Sequence, residues 1–396
     1  ALPRSRFRWP GNSLTMKATA THRIAIEVRG SSSQFFDKKS YGFETRNKKG
    51  NDKDVSLLSL PKDSDWILYG PHSDKTLMRN FLAYDLSNRI GRYAPRTRFV
   101  EVFVRDNAAA PTDQQYSGVY LLMEKIKRGK RRVDVASLRR RKKEADVSGG
   151  YVLKIDRVGD PVSYFTTGFG TLVGHVYPAG DRLSDDERDW IRQDFSHVEQ
   201  VLASDEFLDP KVGYTQVLDA DSFIDFLLLH ELLKNVDSYF LSTFFHKADD
   251  GKIHMGPVWD FNLSSGNASY GGVWKTDGWM LRDRGPQQAA GLPFWWDRLF
   301  EDPDFVDKLK RRWRTLRKEQ FRTDNMLAKV DSTAKLLEEP QRRNFERFPI
   351  LGTYVWPNPR PYAKSYPEEV QRLKAWLAAR AAWMDDHIET LAGERE

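Results

Sequence analysis

The sequence predicts an α+β fold in two unequal lobes, and two observations carry that expectation. In the first third, apolar and polar residues alternate at period two; from residue 184 onward the apolar positions fall at helical spacing almost to the end. The implied division is a β-rich N-terminal lobe with one helix over residues 1–126 and a larger, mainly helical lobe over residues 127–396.

The segments RIAIEVR (residues 23–29) and SYGFETR (40–46) read as two strands joined by the Ser-rich stretch GSSSQFFDKK. Asp74 is placed to cap a helix over residues 77–90 that stops at Gly91. Two further strands follow over residues 98–104 and 116–126, separated by a polar, Pro-containing turn at 107–115. A basic, polar connection over 127–147 leads through Gly149 and Gly150 to the short strand YVLKID. Ser184 followed by Glu187 is a capping-box signature for a helix to residue 204, and residues 220–235 are helical by periodicity. No internal repeat of solenoid length is present.

Composition excludes several classes of function. With 40% hydrophobic, 13% aromatic and 30% charged residues, the chain is globular in type. The absence of cysteine removes disulfides, thiol nucleophiles and thiolate metal sites. A net charge of +7 favours anionic partners such as nucleotides or acidic polymers, but part of it sits in one run at residues 139–143, so nucleic acid is not an expected partner. No stretch is long and apolar enough for a membrane span, and ALPRSRFRWP lacks a signal-peptide core, so a targeting segment for export would lie outside this sequence.

The most informative stretch is residues 231–266. A helix end leads through Asn235 to Asp237, then a hairpin turning at ADDGK, then Trp259, Asp260, Phe261 and Asn262. Phosphoryl transfer uses two acids in this relation: one orients and deprotonates the attacking hydroxyl, the other holds the cation that neutralises the β- and γ-phosphates. Taken singly, Asp237 reads equally as a helix-end cap and Asp260 as a turn residue. The β-rich lobe followed by a helical lobe is also the layout of a protein kinase, although many α+β proteins share it.

Together with these residues, Arg29-Gly30-Ser31-Ser32-Ser33, Lys38-Lys39-Ser40-Tyr41, Asp65-Trp66-Ile67-Leu68, Asp74 with Arg79-Asn80, and Gly118-Val119-Tyr120 with Glu124 form an ordered series across residues 29–266 that resembles the spore-coat CotH kinase family. Residues 294–314 are similar to that family's C-terminal helices. The resemblance implies an atypical protein-kinase-like fold that uses ATP and Mg2+ or Mn2+ to phosphorylate Ser or Thr of a coat or extracytoplasmic protein. Matched residue by residue, Asp237 is the catalytic acid and Asp260 the metal-binding acid, with Asn262 and Ser242 as further metal candidates. Ser242 departs from ordinary protein kinases, which carry Asn five residues after the catalytic Asp.

The remaining assignments concern nucleotide binding. Ser31, Ser32 and Ser33 offer hydroxyls and amides to phosphate, or form an ordinary turn. Lys39 ranks first as phosphate lysine, with Lys154 as a second candidate; Arg79 is an added phosphate contact or the partner of Asp74. Glu124 closes a strand comparable to a kinase hinge. Three readings stay open: a protein Ser/Thr kinase, a kinase-fold enzyme transferring AMP or an amino-acid group, and a non-catalytic surface or adhesion module. His230, His246 and His254 lack metal-ligand spacing, Trp295 and Trp296 read as core, and the Pro-rich stretch 354–367 reads as an irregular loop.

Overall fold

The computed structural model describes residues 18–105, 115–140, 147–159, 161–283 and 291–393. The N-terminal ten residues, the turn at 107–114 and the basic run beyond Arg140 lie outside them. Among the described residues the chain is α+β, with two five-stranded antiparallel sheets, a two-stranded ribbon and eight α-helices.

The first sheet has strand order β1-β2-β3-β5-β4, from β1 (Arg23–Arg29), β2 (Ser40–Arg46), β3 (Asp65–Tyr69), β4 (Thr97–Phe103) and β5 (Tyr116–Glu124). The alternation in RIAIEVR and SYGFETR gives β1 and β2 with the expected bounds and register, Arg29 opposite Ser40. Helix α1 (Arg79–Arg89) starts two residues later than its periodicity suggests because Leu77 sits at φ +64°. Asp74 still serves the helix start: its carboxylate accepts the backbone N–H groups of Thr76 (3.1 Å) and Arg79 (2.8 Å).

The ribbon pairs β6 (Arg139–Arg140) with β7 (Val147–Ser148). The second sheet runs β12-β11-β8-β10-β9, built from β8 (Val152–Ile155), β9 (Tyr164–Thr166), β10 (Leu172–Tyr177), β11 (Thr243–Lys247) and β12 (Ile253–Met255). Strands β9 and β10 carry no clean period-two signal, which is why pattern reading passes over them. Helix α2 (Asp185–Ala203) opens on the expected box, with Ser184 Oγ accepting from Glu187 N–H while the Glu187 carboxylate accepts from Ser184 N–H.

Helix α3 (Ala220–Leu233) is buried from Ser222 to its end, including Asp225, His230 and Glu231. Each of its large apolar side chains contributes about 1.5–3 kcal/mol by leaving water. Its C-terminal turn stops at Lys234 in the left-handed conformation, φ +42°, which turns the chain toward Asn235 and Asp237. The remaining helices are α4 (Trp295–Phe300), α5 (Pro303–Lys318), α6 (Thr323–Leu336), α7 (Glu338–Arg347) and α8 (Tyr366–His387). Trp295 and Trp296 are core residues, 3% and 2% exposed. No helix among the described residues is long and apolar enough to cross a membrane.

One apolar core runs through both sheets and the helices, from Ile67 and Met123 through Leu153 and Leu227 to Leu377. A second tie is polar. Asn344 on α7 reaches back to β5, its Oδ1 accepting from Val119 N–H (3.1 Å) and from Lys38 Nζ (2.7 Å). Gly118 is needed there: it lies at φ +105°, and a Cβ would stand 2.8 Å from Asn344 Oδ1. Lys38, the neighbour of Lys39 in sequence, is buried against Tyr120 and Phe348, and burial pushes its ammonium well below the usual lysine range.

Three buried imidazoles make the fold acid-sensitive. Burial holds His72, His175 and His246 down to about 4, against 6.5 for the free side chain. The unfolded chain takes up these protons near pH 6.5 while the folded chain refuses them until near pH 4, so stability is full above pH 6.5 and falls as pH drops through that window. At about 1.4 kcal/mol per pH unit for each group, a pH series of urea unfolding midpoints is expected to decline steeply between pH 6.5 and 4.5. His72→Phe, which keeps the ring stack on Phe36 (5.2 Å), should flatten the decline.

Candidate active site

A pocket opens where the first sheet faces the loops after α3 and β12. The loop joining β1 to β2 supplies Gly30, Ser31, Ser32 and Ser33, the strands supply Arg29, Ile67, Tyr69 and Met123, and the far wall supplies Arg157, Asp237, Asp260, Asn262, Tyr270 and Trp356. Gly30 makes the loop possible, since at φ +108° a Cβ would fall 2.0 Å from Ser33 Oγ. Lys39 fastens the loop from outside: its Nζ donates to the carbonyls of Gln34 and Phe36, both at 2.7 Å.

The two aspartates share this pocket because their loops are stitched together. Asn235 Nδ2 donates to the carbonyl of Asp260 (3.2 Å), and its Oδ1 accepts from Asp237 N–H at 3.4 Å. From the other side α1 holds the second loop, with Tyr84 Oη accepting from Asp260 N–H (3.2 Å) and Asn80 Oδ1 from Phe261 N–H (2.7 Å). Asp260 itself stands at φ +60°, uncommon for a non-glycine residue and frequent where a side chain is aimed for function.

Electrostatics mark Asp260 further. Burial, then the negative charges of Asp237 and Asp156, push its carboxyl up to about 7, while Arg29 and Arg157 pull the other way. Arg29 lies over the Trp259 ring at 5.5 Å, and burial lowers its guanidinium against the opposing pull of Asp260. Trp259 stacks in turn on Tyr84 (5.9 Å, 14°), so the floor beneath the aspartate is rigid.

Of the residues singled out in sequence, Ser31, Ser32, Ser33, Asp237, Asp260 and Asn262 line one pocket. The others stand elsewhere. Arg79 is 5% exposed, and its guanidinium is committed to Asp74 (2.5 Å) and the carbonyls of Ser264 and Ser265, which realises the pairing with Asp74 in buried form. Glu124 is fully buried, its carboxylate accepting from Arg96, Tyr93 Oη and the Arg96 backbone; its neighbour Met123 faces the pocket instead. Lys154 pairs with Asp156 (3.0 Å) outside the lining, and Arg157 supplies the charge there. Ser242 is also outside the lining, at φ +48° just before β11. Arg29, Arg157, Tyr270 and Trp356 were not picked out in sequence as site residues; only Arg29 carried a signal, as the first residue of the RGSSS stretch.

The model of the family described as CotH kinase protein matches residues 26–384, nearly the whole chain. The chain belongs to the CotH kinase family. Comparison with curated proteins found no match. Membership in the CotH kinase family implies a kinase-like fold and suggests a kinase-like function, and Asp237 and Asp260 line one pocket.

Proposed function

We propose that this chain is an ATP- and divalent-metal-dependent protein kinase of two-lobed, kinase-like architecture, dividing near residues 126 and 127, that phosphorylates Ser or Thr of a coat or extracytoplasmic protein. The observation that carries the reading is the shared pocket, which Asp237, Asp260 and Asn262 line together with Ser31 to Ser33; within it burial, then Asp237 and Asp156, push the Asp260 carboxyl up to about 7 against the pull of Arg29 and Arg157. Among the described residues no three His, Cys, Asp or Glu side chains converge as a closed metal cage. A cation would therefore be shared between Asp260, Asn262 and phosphate oxygens, which is how Mg2+ is held beside nucleotides.

ATP with its cation supplies the transferable γ-phosphoryl group and neutralises the charge that develops on it. The chain's own contributions then follow. Asp237 accepts the proton of the acceptor hydroxyl; Ser31 to Ser33 donate hydroxyl and amide hydrogens toward phosphate oxygens; Arg29 and Arg157 hold positive charge on either side of Asp260. Lys39 keeps the loop closed.

Incubation with γ-labelled or α-labelled ATP and Mg2+ or Mn2+ tests the reading. Transfer of γ label to protein is expected. Transfer of α label instead would make the enzyme an AMP transferase, and transfer of neither would sink phosphoryl transfer altogether.

A further inference from the structure

The Pro-rich segment after α7 carries an aromatic ledge that begins inside the pocket and continues onto the surface. Trp356 lines the pocket and stacks on Tyr270 (6.2 Å, 20°), yet remains 45% exposed. Tyr354, 55% exposed, packs on Tyr362 (5.9 Å), and Arg360 lies over Tyr362 with its Nε donating to Tyr362 Oη at 3.2 Å. Tyr270 lines the same pocket as Asp237 and Asp260.

This ledge is fixed before anything binds. Ser269 N–H donates to the carbonyl of Pro357 (2.8 Å), and Lys75 Nζ to that of Thr353 (2.6 Å). Asn358, 6% exposed, donates to the carbonyl of Ser73 (2.9 Å) and to Asn267 Oδ1 (3.0 Å); Asn267 in turn donates to the carbonyl of Asn262 (2.7 Å). The loop that presents Trp356 is thus tied to the loop that presents Asp260. A rigid exposed aromatic binds with little loss of side-chain freedom, and rows of exposed Trp and Tyr bind extended, proline-containing peptides.

Resting on the function proposed above, we infer that Tyr270, Trp356 and Tyr354 form the acceptor subsite. It would bind a hydroxyl-bearing protein segment in extended form, with proline or an aromatic residue next to the hydroxyl. Ile67, Tyr69 and Met123, on the strands that line the pocket, are the apolar surface left for a nucleobase. The ledge opens from the pocket that holds Asp237, to which the attacking hydroxyl must be presented, and Arg360 beside Tyr362 suits an acidic side chain.

The test uses fluorescence anisotropy without nucleotide, comparing fluorescein-labelled Gly-Pro-Tyr-Ser-Pro-Leu-Gly with Gly-Ala-Ala-Ser-Ala-Ala-Gly. The first peptide should bind at least tenfold more tightly to the wild-type chain. Trp356→Ala should erase the difference and Trp356→Phe should keep most of it, each with an unchanged thermal midpoint; Tyr354→Ala, at an exposed position, gives a second reading if Trp356→Ala unfolds. Equal affinity of the two peptides for the wild-type chain, or a preference that survives both alanine variants, overturns the assignment. Since no nucleotide is present, a chain that fails to transfer label from ATP but keeps the peptide preference sinks the kinase reading alone.

Discussion

Replacing Asp260 with Asn is expected to abolish γ-phosphoryl transfer while making the metal-free protein more stable. The first half follows from the donor set. An amide cannot bring the full negative charge that draws a divalent cation to Asn262 and the phosphates, and losing such a ligand typically lowers turnover by about 1,000-fold or more. Asp237→Ala should cause a loss of about 100- to 10,000-fold by removing the proposed base, without abolishing the metal-dependent nucleotide binding proposed above. The pair therefore separates the two roles: Asp260→Asn should weaken Mg-ATP binding in calorimetry, and Asp237→Ala should leave it nearly intact.

The second half follows from crowding. Asp260 is pushed up to about 7 by burial and by two neighbouring carboxylates, so its charged form is held at a cost to the fold. Asn keeps the shape and removes the repulsion, and a gain of about 1–3 kcal/mol is expected from relief on this scale. Unfolding in EDTA at pH 8 should show a higher midpoint for Asp260→Asn than for wild type, and added Mg2+ should narrow the gap by stabilising only the wild type. A variant that loses activity and stability together would mean that Asp260 is a structural residue.

Much of this site was legible because its chemistry depends on short-range sequence. Asp237 and Asp260 bracket a hairpin, and hairpins bring their ends together, which accounts for both acids lining one pocket. The β1–β2 bounds and the Ser184 box were readable for the same local reason. What failed was long-range. Lys38 gives no sign of burial in sequence until Asn344, 306 residues away, takes its ammonium, and Arg79 reads as a phosphate contact or the partner of Asp74 until the carbonyls of Ser264 and Ser265 close over the pair. Glu124 ends its strand as a solvated acid would, but Arg96 folds back to bury it. Trp356 lies in a loop without periodicity and is held at the pocket by long-range ties, from Ser269 to Pro357 and from Asn358 to Ser73 and Asn267.

Arg380→Met should be among the most destabilising single substitutions in the chain. Arg380 and Glu231 are both fully buried and meet at 3.3 Å. Arg380 also donates to the carbonyls of Glu231 (3.0 Å), Thr276 (3.0 Å) and Gly278 (2.6 Å), and its guanidinium lies over the rings of Trp279 and Trp383. Burial lowers it to about 10, so it stays charged at neutral pH. Its loss leaves Glu231 as an uncompensated buried carboxylate, at a cost of about 3–5 kcal/mol. A buried ion pair can often be replaced whole by apolar residues without loss, but here Glu231 also accepts from Tyr239 Oη (2.9 Å), Met280 N–H (2.7 Å) and Leu281 N–H (2.8 Å). The double variant Glu231→Leu with Arg380→Met would strand those donors and should be no more stable than Arg380→Met alone. Glu231 stands in the last turn of α3, whose end delivers Asn235 and Asp237 to the pocket, so Arg380→Met should also depress transfer below its own unfolding temperature. Urea titrations of the wild type and both variants beside label-transfer rates measure both effects; a double variant that recovers wild-type stability would show that the pair, and not the four-partner network around Glu231, is what the fold depends on.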